Sequence, residues 1–323
     1  MGKNYKIGSP KVTIFGGSGF LGRYLVYLFS KEGWEVKVAV RSPKDAGFLK
    51  VYGVEGQISL LKVNILNEKE VEHAVDGSNV VVNCIGILEE TRGIQTFNLL
   101  HNKFPGILAE ISKALSVKRF VQVSSLGADE NSISRYARSK REGEKKILEK
   151  FPNAVVLRPS VIFGAEDAFF NRFAKLSIIS PIIPIVGGET KFQPVYVMDV
   201  ARAVIKSATD ESLAGIYELG GPDILSFDEL ISLMLKIINR RRFVVNFPFR
   251  VAFLEAFGLE LIRKASFNLI PSIITIDQVR QLHYDNVVGE KSLGMESFGI
   301  KATSLEVVLP QYLWRYRKGG KFS

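Results

Sequence analysis

Short runs of apolar and β-branched residues punctuate the first half of the chain, at Val12–Phe15, Glu35–Val40, Ser59–Val63, Val80–Ile85, Arg119–Ser124 and Ala154–Leu157. Runs of this length predict strands. Between them the period changes: Leu21, Tyr24, Leu25, Leu28 and Phe29 recur at spacings of three and four and stop at Gly33, the stripe of an amphipathic helix. Strand and helix in alternation predict parallel strands joined by right-handed crossovers, an α/β doubly wound sheet covered on both faces. No internal repeat or low-complexity segment interrupts the pattern.

The second half is less regular. Ile178–Val186 is apolar and proline-rich, precedes Gly187-Gly188, and predicts loop or lobe rather than sheet. Ser226-Phe227-Asp228-Glu229 is a capping box. It opens a helix whose apolar face is Phe227, Leu230, Ile231, Met234, Ile237 and Ile238. Arg240-Arg241-Arg242 closes it, where cations suit the negative end of the helix dipole. From there the chain is aromatic-rich and reads as helical. The expected division is a nucleotide-binding Rossmann domain over residues 1–165, with 190–222 returning to it. Residues 166–189 and 223–323 form a smaller, α-rich C-terminal lobe.

Composition narrows the chemistry. The 323 residues are 46% hydrophobic and 24% charged, which excludes a disordered chain. Cys84 is the single cysteine, so no disulfide framework or thiolate-rich metal site is expected, and His73, His101 and His283 lack metal-ligand spacing. The first six residues lack a signal or transit pattern, and Lys6 stands where myristoylation needs Ser or Thr. No apolar run is long enough for a spanning helix. A soluble, cytosol-facing chain is the expectation. The net charge of +10 attracts anions without choosing among nucleotides, lipid headgroups, acidic proteins or nucleic acid.

One loop makes that choice. Gly16-Gly17-Ser18-Gly19-Phe20-Leu21-Gly22 follows the first strand and opens the first helix. Glycines at 16, 19 and 22 permit a tight turn, close approach to a pyrophosphate and close helix–strand packing. The helix N-terminus offers free N–H groups and partial positive charge to the phosphates. At the end of the second strand an NAD-specific site carries a carboxylate for the ribose 2′-hydroxyl. This chain has Arg41-Ser42-Pro43-Lys44. A guanidinium pairs bidentately with a 2′-phosphate, so NADP(H) is favoured over NAD(H).

These residues resemble the short-chain dehydrogenase/reductase superfamily in its extended or atypical branch, over nearly the whole chain. Tyr136-Ala137-Arg138-Ser139-Lys140 matches its Tyr-x-x-x-Lys; Arg158–Gly164 and Val195–Ala201 match two further motifs. The resemblance implies cofactor contacts from Gly16, Ser18, Gly19, Phe20, Leu21, Gly22, Arg41, Asn64, Ile65, Cys84, Ile85, Gly86, Ser124, Tyr136, Lys140 and Pro159. Asn64 departs from the usual Asp beside adenine. Within the superfamily, Ser124–Ala128 through Tyr136–Lys145, Phe192–Val197 and Tyr312–Arg317 resemble the nucleotide-binding accessory subunit family of respiratory complex I, with its bacterial relatives. That resemblance implies a tightly held NADPH, complex I subunits and a membrane surface as partners, and no established turnover. It implies a peripheral location, cytoplasmic on the inner face of a bacterial membrane or on the matrix side of a mitochondrial one.

By the same resemblance Ser125, Tyr136 and Lys140 form a catalytic set. Tyr136 and Lys140, four apart, share a helix face. Lowering a tyrosine pKa from ~10 toward neutrality takes about 4 kcal/mol, supplied by the ammonium and the nicotinamide charge. Only ten residues separate Ser125 from Tyr136, a much shorter link than active relatives carry. The short link places Tyr136 in the first helical turn and argues for ribose binding over turnover. The alternative is an NADP-dependent oxidoreductase or epimerase acting on a small hydroxyl, carbonyl or nucleotide-sugar substrate. The basic, aromatic stretch Arg240–Phe257 suits either docking on a membrane or in a partner's groove, or packing into the lobe's own core, and the resemblance favours docking. Nucleic acid is not expected, since no stacking motif accompanies the charge. Cys84 reads as a small buried hydrophobe, His101 as solvent-facing or turn-capping, and Glu89-Glu90 as a poor acid/base pair.

Overall fold

A computed structural model describes residues 5–249 and 275–320 apart from positions 7, 92 and 94. The expected strands form within two residues of their predicted ends: β1 Lys11–Phe15, β2 Glu35–Val40, β3 Ile58–Lys62, β4 Val80–Asn83, β5 Arg119–Val123 and β6 Val155–Pro159. A seventh, β7 Gly215–Leu219, completes a parallel sheet in the order β3-β2-β1-β4-β5-β6-β7. Registers such as Val12↔Val36, Ile14↔Val38 and Val12↔Val80 stack β-branched side chains across neighbouring strands. The chain runs outward from β1 to β3 and returns to β4 beside β1. The loops after β1 and β4 therefore flank the point where strand order reverses, which is where open α/β sheets bind ligands.

Both sheet faces are covered. On one, α1 (Phe20–Lys31) buries Leu25, Val26 and Phe29 against Val12, Ile14 and Val38. On the other lie α2 (Glu68–Val75), α3 (Phe104–Ala114) and α4 (Arg135–Lys150), with Phe104, Leu108 and Ile147 packed on Phe15, Val81 and Phe120. Helix α1 stops as predicted: Gly33 at φ +79° takes the left-handed conformation that a side chain would strain.

A separate core gathers Phe163, α5 (Phe169–Ile179) and α7 (Phe227–Ile237), with α6 (Val197–Thr209) packed back on the sheet beside α1. The Ser226–Glu229 capping box forms with both of its reciprocal hydrogen bonds, 2.7 and 3.2 Å. Ile178–Val186 is not only loop. Ile182–Val186 is a strand paired in parallel with Phe243–Phe247, Phe243 opposite Ile182 and Val245 opposite Pro184. Its residues alternate, with Ile183 and Ile185 buried and Ile182 and Pro184 outward, and a two-stranded sheet has only edge positions, where proline costs no ladder bond. The stretch after Arg242 accordingly begins with a strand, not a helix. Described helices follow at α8 (Ile276–Gln281) and α9 (Leu305–Leu313).

Candidate functional site

The glycine turn after β1 is dictated by contacts a side chain would violate. Gly16 lies at φ +82°, and a Cβ there would come within 3.0 Å of the Cys84 and Ile85 backbone. A Cβ on Gly17 would meet Val38 Cγ1 at 2.5 Å, and one on Gly22 would overlap the Gly16 carbonyl oxygen. The turn closes through Gly19 N–H donating to Gly16 O at 3.0 Å and delivers Gly19 as the N-cap of α1. Ser18 and Gly19 are exposed, while Leu21 is buried and leaves only its N–H for a ligand. Phe20 packs edge-on against Tyr24.

At the end of β2, Arg41 is exposed and its side chain makes no hydrogen bond or ion pair with the described residues. After β3, Asn64 Oδ1 accepts the Leu66 N–H at 3.1 Å, which leaves its amide N–H groups for a ligand. Ile65 and Ile85 pack against the core beneath. The Cys84 thiol donates to Phe15 O at 3.0 Å, and burial pushes its pKa up to about 12. The residue is half-buried rather than fully buried. Ser124 is turned away from the groove, donating to the buried Glu144 at 2.5 Å. Pro159 is buried, and its carbonyl accepts the Leu126 N–H at 2.9 Å.

Tyr136 and Lys140 project from the start of α4. Ser134 is the N-cap, accepting from Ala137 N–H at 3.2 Å, so Tyr136 does stand in the first turn. Lys140 Nζ lies 5.8 Å from the Tyr136 ring centroid and beside Gly86, where an added Cβ would come within 3.3 Å of it. Burial draws the Lys140 pKa down to about 8, against the pull of Glu144. Ser125 Oγ is buried, has no well-formed hydrogen bond, and faces the Tyr136 hydroxyl. Burial raises the phenol's pKa; the Ser125 hydroxyl opposes the rise and the charge of Asp277 adds to it. The three residues thus converge, with Tyr136 held neutral as a hydrogen-bond donor.

Two participants carried no signal in the sequence. Asp277, on α8, accepts from Ser134 Oγ (2.8 Å), Arg135 N–H (2.7 Å) and Tyr136 N–H (3.1 Å). A carboxylate from the C-terminal part of the chain thus caps the helix that carries Tyr136. The second is His101. It is not at the surface: it is 3% exposed, stacks on Phe97 at 5.4 Å and meets the Tyr136 ring edge-on at 5.3 Å. His101 lies within a π-helical turn, Asn98–Lys103, that buries Leu100, His101 and Asn102.

The C-terminal motif is a clamp. Tyr312 donates to Asp167 at 2.5 Å, while Arg315 and Tyr316 donate to Asn171 Oδ1 at 2.6 and 2.8 Å. Of the basic, aromatic stretch, Phe243 is 76% exposed, and Arg250–Phe257 lies outside the described residues. Among the described residues there is no cluster of His, Cys, Asp and Glu suited to a metal, and no helix long and apolar enough to cross a membrane.

Residues 12–220 match the family described as NAD dependent epimerase/dehydratase. The chain is 34% identical over 314 residues to mitochondrial NADH dehydrogenase (ubiquinone) 1 alpha subcomplex subunit 9 of Arabidopsis thaliana, covering 95% of this chain and 78% of that protein. A ceramide reductase of Caulobacter vibrioides is 30% identical over 194 residues, covering 60% of this chain and 59% of that one. The UDP-glucose 4-epimerase of Thermotoga maritima, solved with UDP-glucose, superposes with a TM-score of 0.69 at 18% identity, covering 94% of this chain and 97% of that one. The glycine turn, the Tyr136–Lys140 pair and these relationships agree: the chain belongs to the NAD-dependent epimerase/dehydratase family, and within it to the group of the complex I alpha subcomplex subunit 9 proteins.

Proposed function

We propose that this chain is an accessory subunit of respiratory complex I that holds NADP(H) as a resident ligand. The carrying observation is its relationship to the Arabidopsis subunit across almost its whole length. The residues present fit a nicotinamide nucleotide. The glycine turn packs backbone where side chains would collide, as a phosphate-cradling loop requires; exposed Arg41 and Lys44 carry charge for a 2′-phosphate, and Ser125 Oγ beside the Tyr136 hydroxyl offers a partner at the far end. When bound, such a group supplies hydride chemistry. Here burial and the Asp277 carboxylate raise the Tyr136 pKa against the opposing Ser125 hydroxyl, which favours the phenol as a hydrogen-bond donor. Tyr136 and Lys140 act in this reading as ligands of the nicotinamide ribose.

Docking falls to the C-terminal lobe. The outer face of its small sheet presents Ile182, Phe243 and Val245 next to Ile179, itself 82% exposed, with Lys175 and Arg241 at the margin. An apolar face with a basic margin suits a partner subunit at an anionic membrane surface. The subunit is peripheral, on the matrix side in a mitochondrion or the cytoplasmic face in a bacterium.

Calorimetry on Arg41→Ala tests the cofactor assignment. A charge-assisted pair to the 2′-phosphate is worth about 1.5–3 kcal/mol, so NADPH affinity falls about 10- to 150-fold while NADH affinity stays within about twofold. Equal losses for both nucleotides would place Arg41 on the adenine and end the preference.

A further inference from the structure

The loop after β4 is squeezed between two parts of the groove. Its first residues abut the Gly16 turn, and Gly86 lies against Lys140 Nζ. What holds it is His101. The Ile87 N–H donates to His101 Nε2 at 3.0 Å, which fixes the tautomer: Nε2 carries no proton, so Nδ1 does. Nδ1–H then donates to Ser139 Oγ at 3.1 Å, and the Ser139 hydroxyl donates to the Tyr136 carbonyl at 2.7 Å. Each hydrogen bond in this relay runs in one direction, and together the directions fit only a neutral imidazole. Burial, aided by the Lys140 charge, keeps it neutral by drawing its pKa down to about 2. The backbone is arranged around the ring. A π-helical turn is rare and is often found at functional sites. Here a Cβ on Gly143 would overlap the His101 carbonyl oxygen, so α4 meets this turn backbone to backbone.

We infer that His101 is a positioning residue for the nicotinamide end of the groove: it accepts the Ile87 N–H, fixes Gly86 against Lys140, and locks that loop to the helix carrying Tyr136. The inference rests on the nucleotide-holding reading above. It separates the two ends of the ligand, because the adenine end is bound by elements His101 does not touch.

The test uses the full chain loaded with NADPH, with release followed by nicotinamide fluorescence during a chase with excess NADP+. His101→Phe keeps the aromatic stack and strands the Ile87 N–H, so release accelerates about tenfold or more. His101→Gln, which reaches the Nε2 position, restores most of the slow release. His101→Asn, which reaches only the Nδ1 position, releases as fast as the Phe variant and keeps the test open should that variant not fold. Adenosine 2′,5′-bisphosphate, which carries the adenine end alone, binds all of them within about twofold of wild type. Unchanged release from the Phe and Asn variants would overturn the inference. So would equal weakening toward NADPH and the bisphosphate, the mark of a purely structural residue. A wild-type chain that binds neither nucleotide would instead defeat the nucleotide-holding reading, before any variant is compared.

Discussion

Arg158→Met lowers the stability of the chain by about 3–5 kcal/mol in urea denaturation, the cost of leaving a buried charge uncompensated. The reason is Glu144, whose side chain is 1% exposed. It accepts from Arg158 Nε and Nη2 at 3.0 and 2.6 Å, and from Ser124 and the more exposed Arg141 at 2.5 and 3.3 Å. Arg158 also reaches Glu218 at 3.4 Å, and Glu218 accepts from Gly289 N–H and Ser292 Oγ. One guanidinium therefore joins α4, β6, β7 and the C-terminal segment. Removing it takes the closest cation from the buried Glu144, which keeps only Ser124 and the longer contact to Arg141. Removing Glu144 as well, in Arg158→Met with Glu144→Leu, costs less than the single change, since no unpaired charge then remains at the centre. A single variant within about 1 kcal/mol of wild type would mean that water reaches Glu144 and the network is peripheral.

The second large effect falls on binding. Gly22→Ala abolishes NADPH binding at concentrations that saturate wild type and destabilises the fold by about 1–3 kcal/mol. The added methyl would overlap the Gly16 carbonyl oxygen and stand 2.6 Å from Gly17 Cα. Turn and helix must then separate, and the N–H groups that face the diphosphate separate with them. Gly47→Ala is the matched control: its Cβ would meet nothing within 4 Å, and both stability and binding stay at wild-type values. Retained binding in the Gly22 variant would mean that the phosphates sit elsewhere.

The nucleotide half of the molecule was legible because its signals are local. β-branched runs, a helical stripe and a glycine turn each lie within a dozen residues, and packing on both faces of the sheet holds them to the ends the pattern predicts. Ser125, Tyr136 and Lys140 were picked out by the family resemblance, and the close spacing of Tyr136 and Lys140 on one helix lets them stand together in the structure. What was hidden depends on distant partners. Asp277 caps α4 across 141 to 143 positions, and no spacing in the sequence announces it. His101 is a lone histidine buried within a π-helical turn, a register that a 3.6-residue periodicity does not anticipate. The Ile182–Val186 strand was masked by Pro184 within it and Pro181 before it; Pro184 is acceptable because its two-stranded sheet has only edge positions, and its partner lies some sixty residues on. Ser124, expected among the cofactor contacts, donates its hydroxyl to the buried Glu144, a partner twenty positions on.

The most direct measurement is capture of the tagged full chain from gently solubilised native membranes, with co-captured proteins and released nucleotide identified together by mass spectrometry. The account predicts complex I subunits in the same fraction as a stoichiometric amount of NADP(H). A chain recovered without those subunits and carrying no pyridine nucleotide would contradict it.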